Sequence, residues 1–279
     1  MGRSLLIGDK VFDLGKRTLI MGILNVTPDS FYDGGKYMNS DIALKHAHDM
    51  VKNGADIIDV GGESTRPGSR RIPAKEELSR VIPIIKKLRK EINVPISIDT
   101  YKSEVARAAL DSGADIVNDI SGLKFDGSIS EVAGEFNCAL VLSHIRGTPE
   151  DMQKNISYNN LISEIKDSLR NSIIKAESSG VNRNKIIIDP GIGFGKGVRG
   201  NLLILKKLTE FKDLGKPLMI GTSRKSFIGS LLSAEKGERL EGTLATVCAA
   251  VLNGADIVRV HDVKEISMAV KIIDAIRNI

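Results

Sequence analysis

The sequence GADIVN at residues 113–118 recurs with small changes as GADIID at 54–59 and as GADIVR at 254–259. In each copy Gly-Ala-Asp is followed by two branched aliphatic residues, which favour a β-strand. A segment with helical spacing of apolar residues precedes each glycine, and glycine readily adopts the positive φ that closes the last turn of a helix. The repeat therefore predicts a passage from helix to strand at three places in the chain.

Five further short apolar runs bring the predicted strands to about eight. They are TLIMGIL (18–24), PISID (95–99), ALVLSH (139–144), KIIID (185–189) and PLMIG (217–221). Between the runs lie segments with apolar residues three and four apart, as in helices packed on one side. Eight strand–helix units are the number that a closed (β/α)8 barrel, or TIM barrel, requires. No linker rich in Pro, Gly or Ser divides the chain, so we predict a single α/β domain over residues 1–279.

An open, doubly wound sheet would use similar segments. It is the less favoured fold, because the first predicted strand is not followed by the Gly-rich turn that binds dinucleotides. The stretch GIGFGKGVRG at 191–200 comes close to that motif, but it follows Pro190 and does not match the phosphate-binding loop pattern.

The composition is that of a globular protein and disfavours disulfide-rich, secreted and membrane proteins. Hydrophobic residues make up 42% and charged residues 27% of the 279 residues, the balance of a globular protein. Cys138 and Cys248 have no Cys or His partner at metal-site spacing, which fits a reducing cytoplasm. The most apolar late window, 243–260, is interrupted by polar residues, and the start lacks the apolar stretch of a signal peptide. We therefore expect a cytoplasmic protein without a membrane partner.

A net charge of +5 fits either nucleic acid or a small anionic substrate. Aromatic residues amount to 4% and tryptophan is absent, which disfavours a surface on which bases stack. We expect small-molecule substrates and no nucleic acid.

The residue after the two aliphatics is polar in all three copies of the repeat: Asp59, Asn118 and Arg259. Other predicted strands end in the same way. In a parallel barrel the carboxyl ends of the strands surround the active site, where polar residues usually take part in chemistry. The resulting site comprises acceptors for a donor-rich heterocycle and cations for an anion, namely Asp99, Asn118, Asp189, Arg259 and His261.

Three loops should lie on the same face, after the first, second and seventh strands. They read NVTPDSFYDGGK (25–36), GGESTRPGS (61–69) and GTSRKSF (221–227). Loops rich in Gly, Pro, Ser and Asp are typical carriers of functional groups.

At these residues the sequence resembles the dihydropteroate synthase family over nearly its whole length. The resemblance rests on GILNVTPDSF (22–31), GESTRPG (62–68), IDT (98–100), ND (118–119), DPGIGFGK (189–196), SRKS (223–226) and RVHD (259–262). Several long motifs in one order make the resemblance specific. It implies a transferase that joins a dihydropterin-methyl diphosphate to 4-aminobenzoate and releases diphosphate.

The resemblance also implies roles for individual residues. Asp99, Asn118 and Asp189 would bind the amino and N–H edge of the pterin, since charge-assisted hydrogen bonds to carboxylates are strong. Lys225 would approach the opposite edge, and Phe194 would form a wall near the incoming benzoate.

The diphosphate would contact Arg259 and His261, with Asn25 and Thr65 beside them. Mg²⁺ would be held by the diphosphate and by the Asn25 oxygen, because this ion keeps waters and takes few protein oxygens. Diphosphate would leave in an SN1-like step, with Mg²⁺, Arg259 and His261 stabilising its charge.

The same resemblance assigns the two long loops to the other substrate. Asp33 and Arg66 would steady the cation and the closed loops. The 4-aminobenzoate would enter among four residues, Phe31, Pro67, Phe194 and Ser223. The family also implies a homodimer formed through outer helices, and the sequence shows apolar helical segments such as 202–208.

Two departures from the family pattern are Tyr32, where Ser is frequent, and Ser143, where Met is common.

Two other functions remain to be weighed. A pterin-binding methyltransferase should lack Arg259, His261 and the NVTPDSF loop, and a non-catalytic relative should have lost some of these residues. The sequence has all of them, which favours the synthase.

Overall fold

The computed structural model describes residues 3–27, 36–154 and 156–279. The chain begins with an antiparallel hairpin, β1 (Arg3–Ile7) and β2 (Lys10–Leu14). Eight parallel strands follow: β3 (Leu19–Asn25), β4 (Ile57–Gly61), β5 (Ile96–Asp99), β6 (Ile116–Asp119), β7 (Ala139–Ser143), β8 (Ile186–Asp189), β9 (Met219–Ile220) and β10 (Ile257–Val260). Their order is β8-β7-β6-β5-β4-β3-β10-β9, and a parallel bridge between Ile188 and Leu218 joins the two ends. The predicted (β/α)8 barrel is confirmed.

Helices surround the strands. They are α1 (Lys36–Lys52), α2 (Ala74–Glu91), α3 (Ser103–Asp111), α4 (Ile129–Glu135), α5 (Leu161–Ser178), α6 (Val198–Lys206), α7 (Ser226–Leu232), α8 (Leu240–Leu252) and α9 (Val263–Arg277). Short 3-10 turns lie at Arg183–Lys185, Leu208–Leu214 and Lys236–Glu238. In α2 the residues three and four apart, Val81, Ile84, Ile85 and Leu88, are buried against the sheet, as an amphipathic helix requires. Within the described residues, no helix combines the length and apolar character needed to cross a membrane.

The glycines of the repeat have the predicted backbone conformation. Gly54, Gly113 and Gly254 have φ of +104°, +106° and +97°, and each lies in the turn between a helix and the next strand. A side chain is disfavoured at such φ, so glycine fixes where each helix ends.

The aspartates of the repeat connect neighbouring strands at the amino ends of the strands, which we call the lower end of the barrel. Asp56 accepts the backbone N–H of Ile20 at 2.9 Å. Asp115 accepts that of Ile96 at 2.8 Å, and Asp256 accepts that of Leu218 at 2.9 Å. Each carboxylate thus satisfies an N–H in the adjacent strand or, for Leu218, in the residue just before it, a role that the sequence did not reveal.

The hairpin was not predicted, and it closes the lower end. Leu5 and Ile7 of β1 are 0% and 1% exposed and pack with Met21, Ile57 and Ile187 from inside the barrel. This end is therefore filled with apolar side chains. The polar strand ends lie at the opposite, upper end of the barrel.

Candidate active site

A cavity of about 460 Å³ opens at the upper end of the barrel. Ten of the predicted site residues line it: Asn25, Thr65, Arg66, Pro67, Asp99, Phe194, Ser223, Lys225, Arg259 and His261. Asn118 and Asp189 are not in its wall. They are buried at the ends of β6 and β8, where Asn118 pairs with Asp99 and Asp189 with Ser143 across neighbouring strands. Phe31, Tyr32 and Asp33 lie outside the described residues.

The three polar residues of the repeat, Asp59, Asn118 and Arg259, form one cluster, of which Arg259 lines this cavity. Arg259 donates from Nε to Asp59 Oδ2 at 2.6 Å and from Nη2 to Asp99 Oδ2 at 2.6 Å. Asn118 donates from Nδ2 to the same Asp59 oxygen at 3.2 Å. The common offset in the sequence therefore places these side chains in direct contact.

The cluster also has spare acceptors. In the described ranges 3–27, 36–154 and 156–279, Oδ1 of Asp59, Asp99 and Asn118 is buried without a hydrogen-bond partner. Buried polar atoms are nearly always hydrogen-bonded, so the unpartnered oxygens of Asp99, in the cavity wall, and of Asn118, its strand neighbour, indicate a place for a donor-rich ligand.

Burial shifts the pKa values of Asp99 and Arg259. Burial raises the pKa of Asp99 above the usual value of an aspartate, and the positive charge of the Arg259 guanidinium opposes that shift. Burial also opposes the positive charge of Arg259, but Asp59 and Asp99 outweigh it, so the pKa of Arg259 is raised. Arg259 is therefore a permanent cation in the cavity wall.

Asp189 ends β8, and Lys225 lies near it in the loop between β9 and α7. Lys225 Nζ donates to the carbonyl oxygen of Ile192 and lies 4.5 Å from the centre of the Phe194 ring. Burial lowers the pKa of Lys225 to about 8, with the negative charge of Asp189 opposing. Burial raises the pKa of Asp189, which Lys225 opposes, and Asp189 accepts the Gly191 N–H at 2.7 Å.

His261 lines the cavity beside Ser223. Its Nδ1 lies 3.0 Å from the hydroxyl of Ser223, and burial together with the nearby Arg259 lowers its pKa to about 3. The imidazole is therefore neutral near pH 7. Without an anion beside it, His261 is thus a neutral hydrogen-bonding group next to the cation Arg259.

Several residues of the site were not assigned to it from the sequence. Asp59 is the most informative, because its offset in the repeat was the available signal. Glu63, Arg224 and Arg239 also line the cavity. Arg224 pairs with Asp262 by Nε at 3.0 Å.

Two buried groups hold the loops that carry predicted site residues. Glu63 accepts hydrogen bonds from the Tyr101 hydroxyl and from Lys102, which anchors the start of the loop with Thr65 and Arg66. Lys196 is 2% exposed and donates to the Phe194 carbonyl at 2.8 Å. Neither role has a sequence signal apart from the motifs, because the partners of Glu63 come from a distant segment and the contact of Lys196 with Phe194 depends on how the loop folds.

The donor set suits Mg²⁺ only together with a ligand. Asn25 lines the cavity at the end of β3 and offers one amide oxygen. In the part of the chain that the structure describes, no group of three or more His, Cys, Asp or Glu side chains could hold a metal ion. The single amide oxygen of Asn25 would fit Mg²⁺ if waters and substrate oxygens complete its coordination, since the ion usually takes one or two protein ligands.

Comparisons with known proteins point to one family. Residues 21–261 match the model of a family described as pterin binding enzyme. The chain is 50% identical to dihydropteroate synthase of Synechocystis, over 97% of this chain and 94% of that protein.

Two solved structures are similar along nearly their whole length. Dihydropteroate synthase of Clostridium difficile, determined in the presence of pteroic acid, is 52% identical, with a TM-score of 0.90 over 95% of this chain and 98% of that chain. The enzyme of Xanthomonas albilineans with 4-aminobenzoic acid is 36% identical, with a TM-score of 0.93 over 100% of both chains.

Proposed function

The chain belongs to the dihydropteroate synthase family of pterin-binding enzymes, and from this premise we propose how its own residues divide the work of the transferase reaction. The observation that carries the proposal is the charge pattern of the upper cavity. Asp99, whose Oδ1 is unpartnered within the described residues, lines this cavity together with the permanent cation Arg259 and with Lys225. A flat heterocycle with N–H donors and an anionic leaving group needs both kinds of partner.

The pterin ring would bind in the upper cavity. The unpartnered Oδ1 atoms of Asp99 and Asn118 would accept hydrogen bonds from its amino and ring N–H groups, together with Asp189. Lys225 would donate to the carbonyl side of the ring, and the Phe194 ring beside its Nζ would cover one face. Acceptors on one edge and a cationic donor on the other would fix the orientation of the ring.

The diphosphate would lie against Arg259, with His261, Asn25 and Thr65 around it. Arg259 would supply the positive charge, and His261 would donate from Nε2 in the tautomer whose Nδ1 accepts from the Ser223 hydroxyl. Asn25 would provide the protein oxygen for Mg²⁺, which when bound would neutralise charge on the diphosphate and favour its departure. Preorganised donors that face a developing negative charge are a large source of catalysis.

The bond between the pterin CH₂ and the diphosphate oxygen would break first, with its electron pair leaving on the diphosphate. The pterin-methyl cation that remains is delocalised over the ring. The amine nitrogen of 4-aminobenzoate then forms the new C–N bond and releases a proton to solvent. Arg66, Pro67, Phe194 and Ser223 line the cavity where this second substrate would enter, and Phe31 and Asp33, outside the described residues, complete the proposal.

A direct assay mixes the protein with the pterin diphosphate, 4-aminobenzoate and Mg²⁺, and then omits each component in turn. We expect diphosphate and dihydropteroate in equal amounts from the full mixture. Without 4-aminobenzoate no dihydropteroate can form, and loss of product without Mg²⁺ supports the metal. Tight pterin binding without product would instead identify a non-catalytic relative.

The assembly that we propose is a cytoplasmic homodimer. The segment 202–208 gives little support, because Ile204, Leu205 and Leu208 are buried in the protein's own core. Better support comes from exposed apolar side chains on α7, α8 and α9, namely Leu231, Leu232, Leu252, Met268, Ile272 and Ile276. Sedimentation of the wild type and of Ile272→Glu tests this surface, and a monomeric wild type would contradict it.

A further inference from the structure

Asp59 is a buried carboxylate that the proposed chemistry does not use. It lies in β4, is 0% exposed and is not part of the cavity wall. A charge held away from water is costly unless it is paired and hydrogen-bonded. The partners of Asp59 are Arg259 and Asn118, two residues proposed to bind different parts of one substrate.

The geometry separates the two acids that hold Arg259. Asp99 lines the cavity and bonds the Nη2 end of the guanidinium, so a ligand can compete for that contact. Asp59 bonds Nε, at the base of the guanidinium, from a position outside the wall. An arginine side chain has many rotamers, and a bond at Nε restricts them while leaving the Nη groups available to a ligand.

The same oxygen of Asp59 also accepts from Asn118 Nδ2. This bond directs the Asn118 amide so that its Oδ1, unpartnered within the described residues, remains an acceptor. One carboxylate therefore orients a cation for an anionic group and an acceptor for a ring N–H.

We infer that Asp59 is a positioning residue that fixes Arg259 for the diphosphate and Asn118 for the pterin. It does not contact substrate, and it acts through these two side chains. The inference rests on the roles proposed above for Arg259 and Asn118. Partners that orient a ligand-binding side chain from behind typically change activity or affinity by about 10- to 100-fold when they are replaced.

A double-mutant cycle tests the inference. The variants are Asp59→Asn, Arg259→Met and the pair, and the readouts are kcat/KM for the pterin diphosphate and the calorimetric Kd of inorganic diphosphate with Mg²⁺. We expect Asp59→Asn to weaken both by about 10- to 100-fold when Arg259 is present. In the Arg259→Met background the effect on diphosphate affinity should shrink to about threefold or less, because residues that act through one another are not additive.

Asp56→Asn is the matched control. Asp56 immediately precedes the same strand and also pairs with an arginine, Arg17, at 2.6 and 2.8 Å, but it lies at the lower end. This variant should lower the melting temperature while leaving kcat/KM and diphosphate affinity within about twofold of wild type, as expected for an independent site.

Three results would overturn the inference. The first is an Asp59→Asn variant with unchanged kcat/KM and diphosphate affinity. The second is an Asp59→Asn substitution that lowers diphosphate affinity equally in the wild-type and Arg259→Met backgrounds. The third is an Asp56→Asn variant that loses as much affinity as Asp59→Asn. If Arg259→Met does not fold, Arg259→Lys replaces it in the cycle, because lysine has no Nε donor to offer Asp59. A wild type that binds diphosphate but forms no dihydropteroate would contradict the proposed function, and the binding cycle would still decide the role of Asp59.

Discussion

At the lower end of the barrel the aspartate of each repeat accepts a backbone N–H from the neighbouring strand, whereas three residues later, at the upper end, the polar side chains contact one another. The pairs are Asp56 and Asp59, Asp115 and Asn118, and Asp256 and Arg259. The lower carboxylates complete the strand edges with bonds of 2.8–2.9 Å. Among the described residues, the upper groups retain buried oxygens without partners.

A repeated sequence can therefore serve both stability and function. A satisfied buried group contributes to folding, while an unsatisfied one lowers stability unless a ligand supplies the missing bond. Residues of both kinds recur at fixed offsets, so recurrence alone does not separate them. Substitutions at the upper end should change binding and catalysis, and those at the lower end should change stability.

Arg259→Met should give the largest effect. Loss of a preorganised donor for the leaving charge should lower kcat by about 10²- to 10³-fold. It also leaves Asp59 and Asp99 without their cation, and breaking a buried ion pair costs about 3–5 kcal/mol of unfolding free energy. Steady-state kinetics and denaturant unfolding measure the two effects. Near-wild-type turnover would remove Arg259 from the chemistry.

Lys225→Met should rank second and should also change the pH profile. A pKa of about 8 means that Lys225 is charged below that pH and loses its proton above it. The wild-type kcat/KM should therefore fall as the pH rises through about 8. Loss of a charged hydrogen bond should cost the variant about 10- to 100-fold at pH 7.

The decisive comparison for Lys225 is the fall of kcat/KM above about pH 8. This fall should be absent from the pH profile of Lys225→Met, since the titrating group is gone. A Lys225→Met variant whose kcat/KM still falls above about pH 8 would show that another group causes the fall.

Asp189→Asn should give a smaller effect, confined to the pterin. An amide keeps the shape of the carboxylate but replaces a charge-assisted hydrogen bond by a weaker neutral one, so pterin affinity should fall about tenfold. Calorimetry with a pterin that lacks the diphosphate measures this loss. The affinity for inorganic diphosphate serves as the internal control and should not change.

The barrel and the strand-end residues of the site could be predicted from local patterns, whereas cavity residues such as Asn25, Thr65 and Lys225 were assigned only through the family resemblance. Gly54, Gly113 and Gly254 fix the helix ends through their own φ, and polar residues that end parallel strands must share one rim. The neutral state of His261 could not be predicted, since it arises from burial and from the nearby Arg259. The sequence places His261 two residues after Arg259 but does not reveal how deeply the imidazole is buried.

Distance along the chain explains the other omissions. Asp59 and Arg259 are bonded across 200 positions, so the offset marks each residue but not their contact. The hairpin of β1 and β2 contains only ten strand residues, and its role comes from covering the lower end of a barrel formed by the rest of the chain. A strand pattern alone does not identify what it covers.

Asp115→Asn should have the smallest effect on activity and would sharpen the contrast between the two ends. Asp115 accepts the Ile96 N–H at 2.8 Å and pairs with Arg89, far from the cavity wall. An amide weakens both contacts, and an impaired hydrogen bond to a partly buried group costs about 1–3 kcal/mol of unfolding free energy. Denaturant unfolding should show this loss, while kcat/KM stays within about twofold of wild type, as for other independent sites. A fall in kcat/KM comparable to that of Asp189→Asn, without a loss of stability, would mean that the lower end shapes the cavity as well. The lower aspartate and the upper polar residue of each repeat would then both contribute to the site, and the two ends of the barrel could not be assigned separately to stability and to function.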